Sequence, residues 1–233
     1  MLSFGTPALA EGPSAARAPS VDTQGVYPLP ELGEDWKQIE SIYSRVHYLP
    51  DNAGTARSLL EHAESSIPRL ADELDLPTGG VIDIVLSPDT EHFRDVQPGT
   101  PPTWADATAW PQSGMVFMRA PKARNPSSRP LTQVLDHELV HVILGRAFAP
   151  NPVPSWLQEG TAQLLAREYT PDLTKQLASG LLGDNLLELE DLTTGFPSGS
   201  SKAALAYAQS ADLMAYIRTE YGDDAFHALV QHM

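Results

Sequence analysis

Between Leu131 and Phe148 the chain is apolar nearly all the way round: Val134, Leu135, Leu139, Val140, Val142, Ile143 and Leu144 leave no broad polar face. That pattern predicts a helix buried on every side. Upstream, Ser41–Leu49 alternates apolar and polar positions and carries Ile42, Tyr43, Val46 and Tyr48, which predicts a strand. Asp51-Asn52 then offer caps for a helix with Leu59, Leu60, Ala63, Ile67, Leu70 and Leu74 at helical spacing, in which Pro68 is expected to make a kink or a split. Gly79-Gly80 turns the chain into a second strand, Val81–Leu86, and a Trp- and Pro-rich loop leads to a third, Gly114–Met118. Downstream, Ser155 and Gln158 form a capping-box pattern after Pro154, starting a helix that runs to about Glu168. Residues 171–200 read as loop-rich. A long helix follows over Ser201–Tyr221, with Gly222 as its stop and Asp223 capping a last short one.

Strands in the first half and helices in the second predict an α+β fold, with a small N-terminal mixed sheet and a C-terminal helical half. With 233 residues, one domain over 26–233 is expected, strand-containing to 130 and helical from 131. Residues 1–25 carry Pro7, Pro13 and Pro19 with no hydrophobic period and read as a disordered leader. In it, Ala8-Leu9-Ala10 resembles a signal-peptide cleavage site, which points to a secreted or cell-envelope protein; an accidental match in an Ala-rich tail is equally open. Thirty acids against fifteen bases give a net charge of −15, which argues against a nucleic-acid binder. No run approaches the ~18 apolar residues of a membrane span. The chain has no cysteine, so any metal must be held by His, Asp or Glu.

His137-Glu138-Leu139-Val140-His141 is the chemical centre of the sequence. On a helix, residues four apart share a face, so both imidazoles can meet one ion. Glu138 stands about 100° round the helix, beside that ion rather than on it, where a carboxylate can take a proton from water. A catalytic zinc needs a third protein ligand and an open fourth position. Glu159, in Trp156-Leu157-Gln158-Glu159-Gly160, is the candidate: seventeen residues separate it from His141, enough to end one helix and begin another. Gly160 allows the two helices to approach closely.

HELVH followed by WLQEGTA resembles the gluzincin metallopeptidases, in particular the peptidase MA-like domains, over most of residues 26–233. The resemblance implies one zinc per chain bound by His137, His141 and Glu159, with Glu138 as general base in peptide-bond hydrolysis. It also implies an active-site cleft between the sheet and the helical half, a helical tyrosine in the active site, matched by Tyr207, and a cleft strand along which a peptide or protein substrate lies, matched by Gly114–Met118. Three features depart from the family pattern. The spacing to Glu159 is one residue short of that often seen. Gln163 stands where thermolysin-like members place an Asp that orients a ligand histidine. The matched strand lacks the acid by which aminopeptidase relatives hold a free amine, which favours an endopeptidase or an altered specificity. A zinc-stabilised binding or scaffold domain with weak catalysis remains the alternative, although such a domain has no need of Glu138.

Asp136 is a further candidate for orienting an imidazole, though its helical position favours the opposite face. His47 reads as a half-buried strand residue, and His62, His92, His227 and His232 as surface. Trp104 and Trp110 read as packing beneath a loop or as walls of the cleft. Arg119, Lys122, Arg124 and Arg129 form a basic run between Asp106 and Asp136, either solvated or a docking site for acidic substrates.

Overall fold

The computed structural model describes residues 26–125, 128–168, 170–193, 195–196 and 200–232. The leader and its Ala8-Leu9-Ala10 site lie outside them. Five strands, β1 (Lys37–Glu40), β2 (Ser44–Tyr48), β3 (Ile82–Ser87), β4 (Ala107–Trp110) and β5 (Met115–Arg119), form one sheet in the order β1-β2-β3-β5-β4. The three inner strands run parallel, while β1 and β4 are antiparallel edges. β3 and β5 are buried throughout because both faces of the sheet are covered. On one face lie α1 (Ala53–Leu74) and α3 (Leu131–Phe148), packed on Val46, Ile84 and Val116. The other face holds a smaller core of Val85, Met115 and Phe117 with Phe93 from the short helix α2 (Thr90–Asp95). The helical half adds α4 (Ser155–Leu165), α5 (Pro171–Leu182), α6 (Leu189–Thr193) and α7 (Ser200–Gln231). The architecture is therefore the expected α+β arrangement, with a cleft between the β4 side of the sheet and the helices.

Several elements differ from their sequence reading. α1 runs unbroken through Pro68. An interior proline costs about 3 kcal/mol, but Leu59, Ala63, Ile67, Leu70 and Leu74 are all buried on one stripe, and each large one contributes about 1.5–3 kcal/mol. The capping box at Ser155 does not form: no side chain caps the α4 N-terminus, and Gln158 Nε2 instead donates to the Val153 carbonyl at 3.0 Å. Residues 171–200, read as loop-rich, hold α5 and α6. The end of the chain follows its sequence reading: Gly222 is non-helical, with φ 83° and ψ 175°, so α7 is a long helix and a short one that meet at a kink there. β1, β4 and α2 are too short to show a period, and the sequence reading passed over them. Among the described residues, no helix is long and apolar enough to cross a membrane.

Candidate active site

α3 is buried between the sheet, α1 and α4, which fixes the direction of each polar side chain it carries. His137 and His141 face α4, where Glu159 sits in the second turn. His137 Nε2 lies 3.5 Å from Glu159 Oε2, and His141 Nε2 lies 3.8 Å from Oε1. All three ligating atoms fall within 4.8 Å of one another. Two ligands about 2.1 Å from a tetrahedral zinc stand about 3.4 Å apart. The measured spacings are too long for good hydrogen bonds and close to what an ion between the three groups requires. Two imidazoles and a carboxylate are also a donor set suited to zinc.

The charge balance points the same way. Glu138, Glu159 and Glu168 are three acids in one buried site, and Arg129 is the cation paired there. With His137 neutral, as a metal ligand must be, two negative charges remain after Arg129, and a divalent cation would neutralise them. Burial alone would depress His137, but Glu168 and Glu159 flank its ring and lift it to about 10. His141 goes the other way: burial lowers it to about 4 despite Glu159, so it is neutral and able to ligate. Burial works to raise Glu159, yet His141 and His137 outweigh it and hold the carboxyl below its ordinary value. Glu138 is pushed up to about 7, by burial first and with Glu159 adding to it. That is a suitable value for a group that must both take and return a proton near neutrality.

Tyr207 on α7 lines the same cleft, its ring set edge-on against Phe196 at 4.7 Å. Burial and the neighbouring Glu159 and Glu138 keep its phenol protonated, and so a donor. The cleft encloses about 650 Å³. One wall is the segment from Trp104 to Ala109, which contains most of β4. The structure thus brings His137, Glu138, His141, Glu159 and Tyr207 together.

The cleft strand must be corrected. β5, the Gly114–Met118 segment, is paired with β3 on one side and β4 on the other, so its backbone is already spent on the sheet. The open edge belongs to β4. Arg119 N–H donates to the Asp106 carbonyl at 2.9 Å, and antiparallel bonding alternates along a strand. Ala107 and Ala109 therefore direct their N–H and C=O groups outward.

Other expectations also change. Asp136 turns away from the imidazoles and binds His62 Nε2 and Arg69 Nη2, each at 2.8 Å. His62 is thus a half-buried partner of α3 rather than a surface residue, and His92 stacks on Trp36. Trp104 walls the cleft, whereas Trp110 packs edge-on against Tyr27. The basic run is not a free cationic patch. Arg119 is buried over Phe93, Arg124 binds Asp106 at 2.8 Å, and Arg129 pairs with Glu168; Lys122 is exposed and has no such partner among the described residues.

Glu168 is the site residue that sequence reasoning missed. Nine positions after Glu159 on a continuous helix, at 100° per residue, it would face the opposite side. The helix instead stops early, with Arg167 in the left-handed region at φ 56°. No Gly or Asn marks that stop. The one available signal was an acid shortly after the third ligand.

The family profile described as "Peptidase MA superfamily" matches residues 64–233. No curated protein matches the chain. Among solved structures, the chain is similar to native leukotriene A4 hydrolase from Saccharomyces cerevisiae (16% identity, TM-score 0.47, covering 85% of this chain and 32% of that one). It is similar also to yeast LTA4 hydrolase in complex with bestatin (18% identity, TM-score 0.49, covering 85% and 33%). The chain spans about a third of the length of these structures.

Proposed function

The chain belongs to the peptidase MA superfamily, and from that membership we propose that it is a zinc-dependent peptidase acting on peptide or protein substrates. The observation that carries the proposal is the convergence of His137, His141 and Glu159 within 4.8 Å, beside buried Glu138, in a cleft walled by an open sheet edge. Zinc held by those three side chains would polarise the scissile carbonyl and acidify water at its remaining position.

The chain's own residues do the rest. A substrate strand extends the sheet at β4, hydrogen-bonding to the outward groups of Ala107 and Ala109. Glu138 accepts a proton from the attacking water and passes it to the leaving amine. Tyr207 donates to the oxyanion of the tetrahedral intermediate. Glu159 stays ionised as a ligand, because its carboxyl is held low. The β4 segment facing the cleft offers Ala107 and Ala109, and Asp106 at its start is engaged by Arg124. A free α-amine thus finds no available acid on that strand, which supports internal cleavage.

The test is cleavage of an unfolded protein such as casein. Activity lost to a chelator, restored by zinc and absent from Glu138→Gln supports the reading. A zinc-loaded protein that cleaves no peptide or protein substrate would favour a scaffold role.

A further inference from the structure

Gln163 occupies the position from which an acid would orient a ligand histidine in the resembling families, and it does something else. Its Nε2 donates to the carbonyls of Glu159 at 3.3 Å and Tyr207 at 3.1 Å, joining α4 to α7. Resting on the reading of His137 as a metal ligand, we propose that Glu168, braced by Arg129, is the positioning residue for His137.

The two sides of the His137 ring face different carboxylates. Nε2 is turned to Glu159, and Nδ1 lies 3.2 Å from Glu168 Oε1. Both Nδ1 and Oε1 are buried; Nδ1 has no well-aligned hydrogen-bond partner, and the acceptor facing it is Oε1, which it shares with the Arg129 guanidinium. A proton held on Nδ1 toward Glu168 leaves Nε2 with its lone pair facing the ligand cluster, which is the tautomer a metal requires.

The backbone is built to bring Glu168 there. Glu168 N–H donates to the Gln163 carbonyl at 2.9 Å and Arg167 N–H to the Leu164 carbonyl at 3.2 Å, a Schellman closure of α4. Gln133, one turn before His137 on α3, donates to the carbonyls of Ala166 and Arg167 at 3.1 and 2.9 Å. The turn is therefore pinned to the helix whose histidine it serves. Arg129, at the entry to α3, ion-pairs with Glu168 from the cleft side and keeps the buried carboxylate ionised and in place.

Zinc affinity, measured by competition with a chromophoric chelator, separates this proposal from the one it rests on. Wild type must bind zinc; if it does not, the metal reading fails before Glu168 is in question. Given that binding, Glu168→Ala should weaken zinc ~10–100-fold. Glu168→Gln keeps the size and an acceptor oxygen and should recover part of the loss, and Arg129→Ala should lose several-fold through Glu168. The Nδ1–H resonance of His137 in the zinc-loaded protein gives a second readout. Wild type should show it far downfield and slow to exchange, and Glu168→Ala should lose both features. Unchanged zinc affinity together with an unchanged Nδ1–H signal in a folded Glu168→Ala protein would overturn the assignment. Should Glu168→Ala fail to fold, Glu168→Gln carries the test, and full wild-type affinity and Nδ1–H signal in that variant, with Arg129→Ala equally unaffected, would overturn it as well.

Discussion

Gln163 Nε2 donates to the backbone carbonyl of Tyr207 at 3.1 Å, and both residues stand beside the third candidate ligand. Gln163 is buried, so its amide has little water to compete with and holds α7 at a set height against α4. Tyr207→Phe removes only the phenolic donor. Loss of one oxyanion donor typically costs ~10²–10³-fold in kcat. The expected result is a fall of about that size with KM and zinc content near wild type. Gln163→Ala should produce a smaller fall in kcat, because Tyr207 keeps its hydroxyl and loses only its tether. Steady-state kinetics on one peptide check both; an unaltered kcat in Tyr207→Phe removes Tyr207 from the chemistry.

Glu138 and Glu159 are given different tasks, so their variants should fail differently. Glu138→Gln keeps the shape but cannot accept a proton; it should hold zinc and lose ~10²–10⁴-fold in activity. Glu159→Ala removes one of three ligands and should empty first, with partial rescue by excess zinc. Elemental analysis beside activity decides. A zinc-free Glu138→Gln next to a fully loaded Glu159→Ala would reverse the two roles.

How much of this was legible beforehand follows from the length scale of each signal. The five-residue HELVH motif and the long apolar period of α3 are local to the sequence, and they located His137, Glu138, His141 and the buried helix. Glu159 followed from the motif's need of a third ligand on a second helix nearby, whereas Tyr207 required the family pattern, since nothing in a single tyrosine separates a donor from a surface side chain. β4 was passed over because four residues, Ala-Thr-Ala-Trp, carry no usable period and become a strand only by pairing with β5. Edge and centre are likewise set by strand order, which put the peptide beside the wrong strand. Glu168 was hidden by a helix stop at Arg167 that no glycine announces.

The edge role of β4 predicts unequal effects of proline within four residues. The Ala109 N–H points away from β5, so Ala109→Pro spares the ladder and removes one donor to the substrate. It should raise KM about tenfold or more, a backbone hydrogen bond being worth about 1 kcal/mol and the ring adding bulk. Thr108 faces β5 in the bonding register, so Thr108→Pro should instead lower the melting temperature. Equal KM values for wild type and Ala109→Pro would mean that substrate does not pair at this edge.

Away from the cleft, Asp83 ties β3 to β2 by accepting from His47 at 2.8 Å and from Arg45 at 2.6 Å. Burial by itself would raise its carboxyl, but those two bonds outweigh burial and hold it below the ordinary value. A carboxyl with a depressed folded-state pKa stabilises the protein above its unfolded value of about 3.9 and loses that contribution as pH falls through the folded value. Asp83→Asn should therefore cost about 1–3 kcal/mol at neutral pH and make the decline in stability below about pH 4 shallower. Denaturant titrations at several pH values test the sign; an equally steep acid decline in the variant would place the titrating group elsewhere.

Gly160 sets the distance between Glu159 and α7, and here two opposing effects can be weighed. In an exposed helix, alanine in place of glycine gains about 1 kcal/mol from propensity. At Gly160, however, a Cβ would stand 2.3 Å from the Ser210 carbonyl oxygen and 2.7 Å from Met214 Cγ. Met214 can swing aside, but the carbonyl is backbone of α7 and moves only if the helix does. Overpacking of this kind costs about 1–3 kcal/mol, so the clash exceeds the propensity gain and Gly160→Ala should be less stable than wild type. The displacement falls one residue from Glu159 and three from Tyr207, so zinc affinity and kcat should drop along with the melting temperature. Ala162→Gly, two residues on in the same helix, loses propensity without moving α7. It should lower the melting temperature while the properly folded fraction keeps its zinc affinity. A Gly160→Ala protein as stable and as tight for zinc as wild type would show that α4 and α7 are not held at this contact.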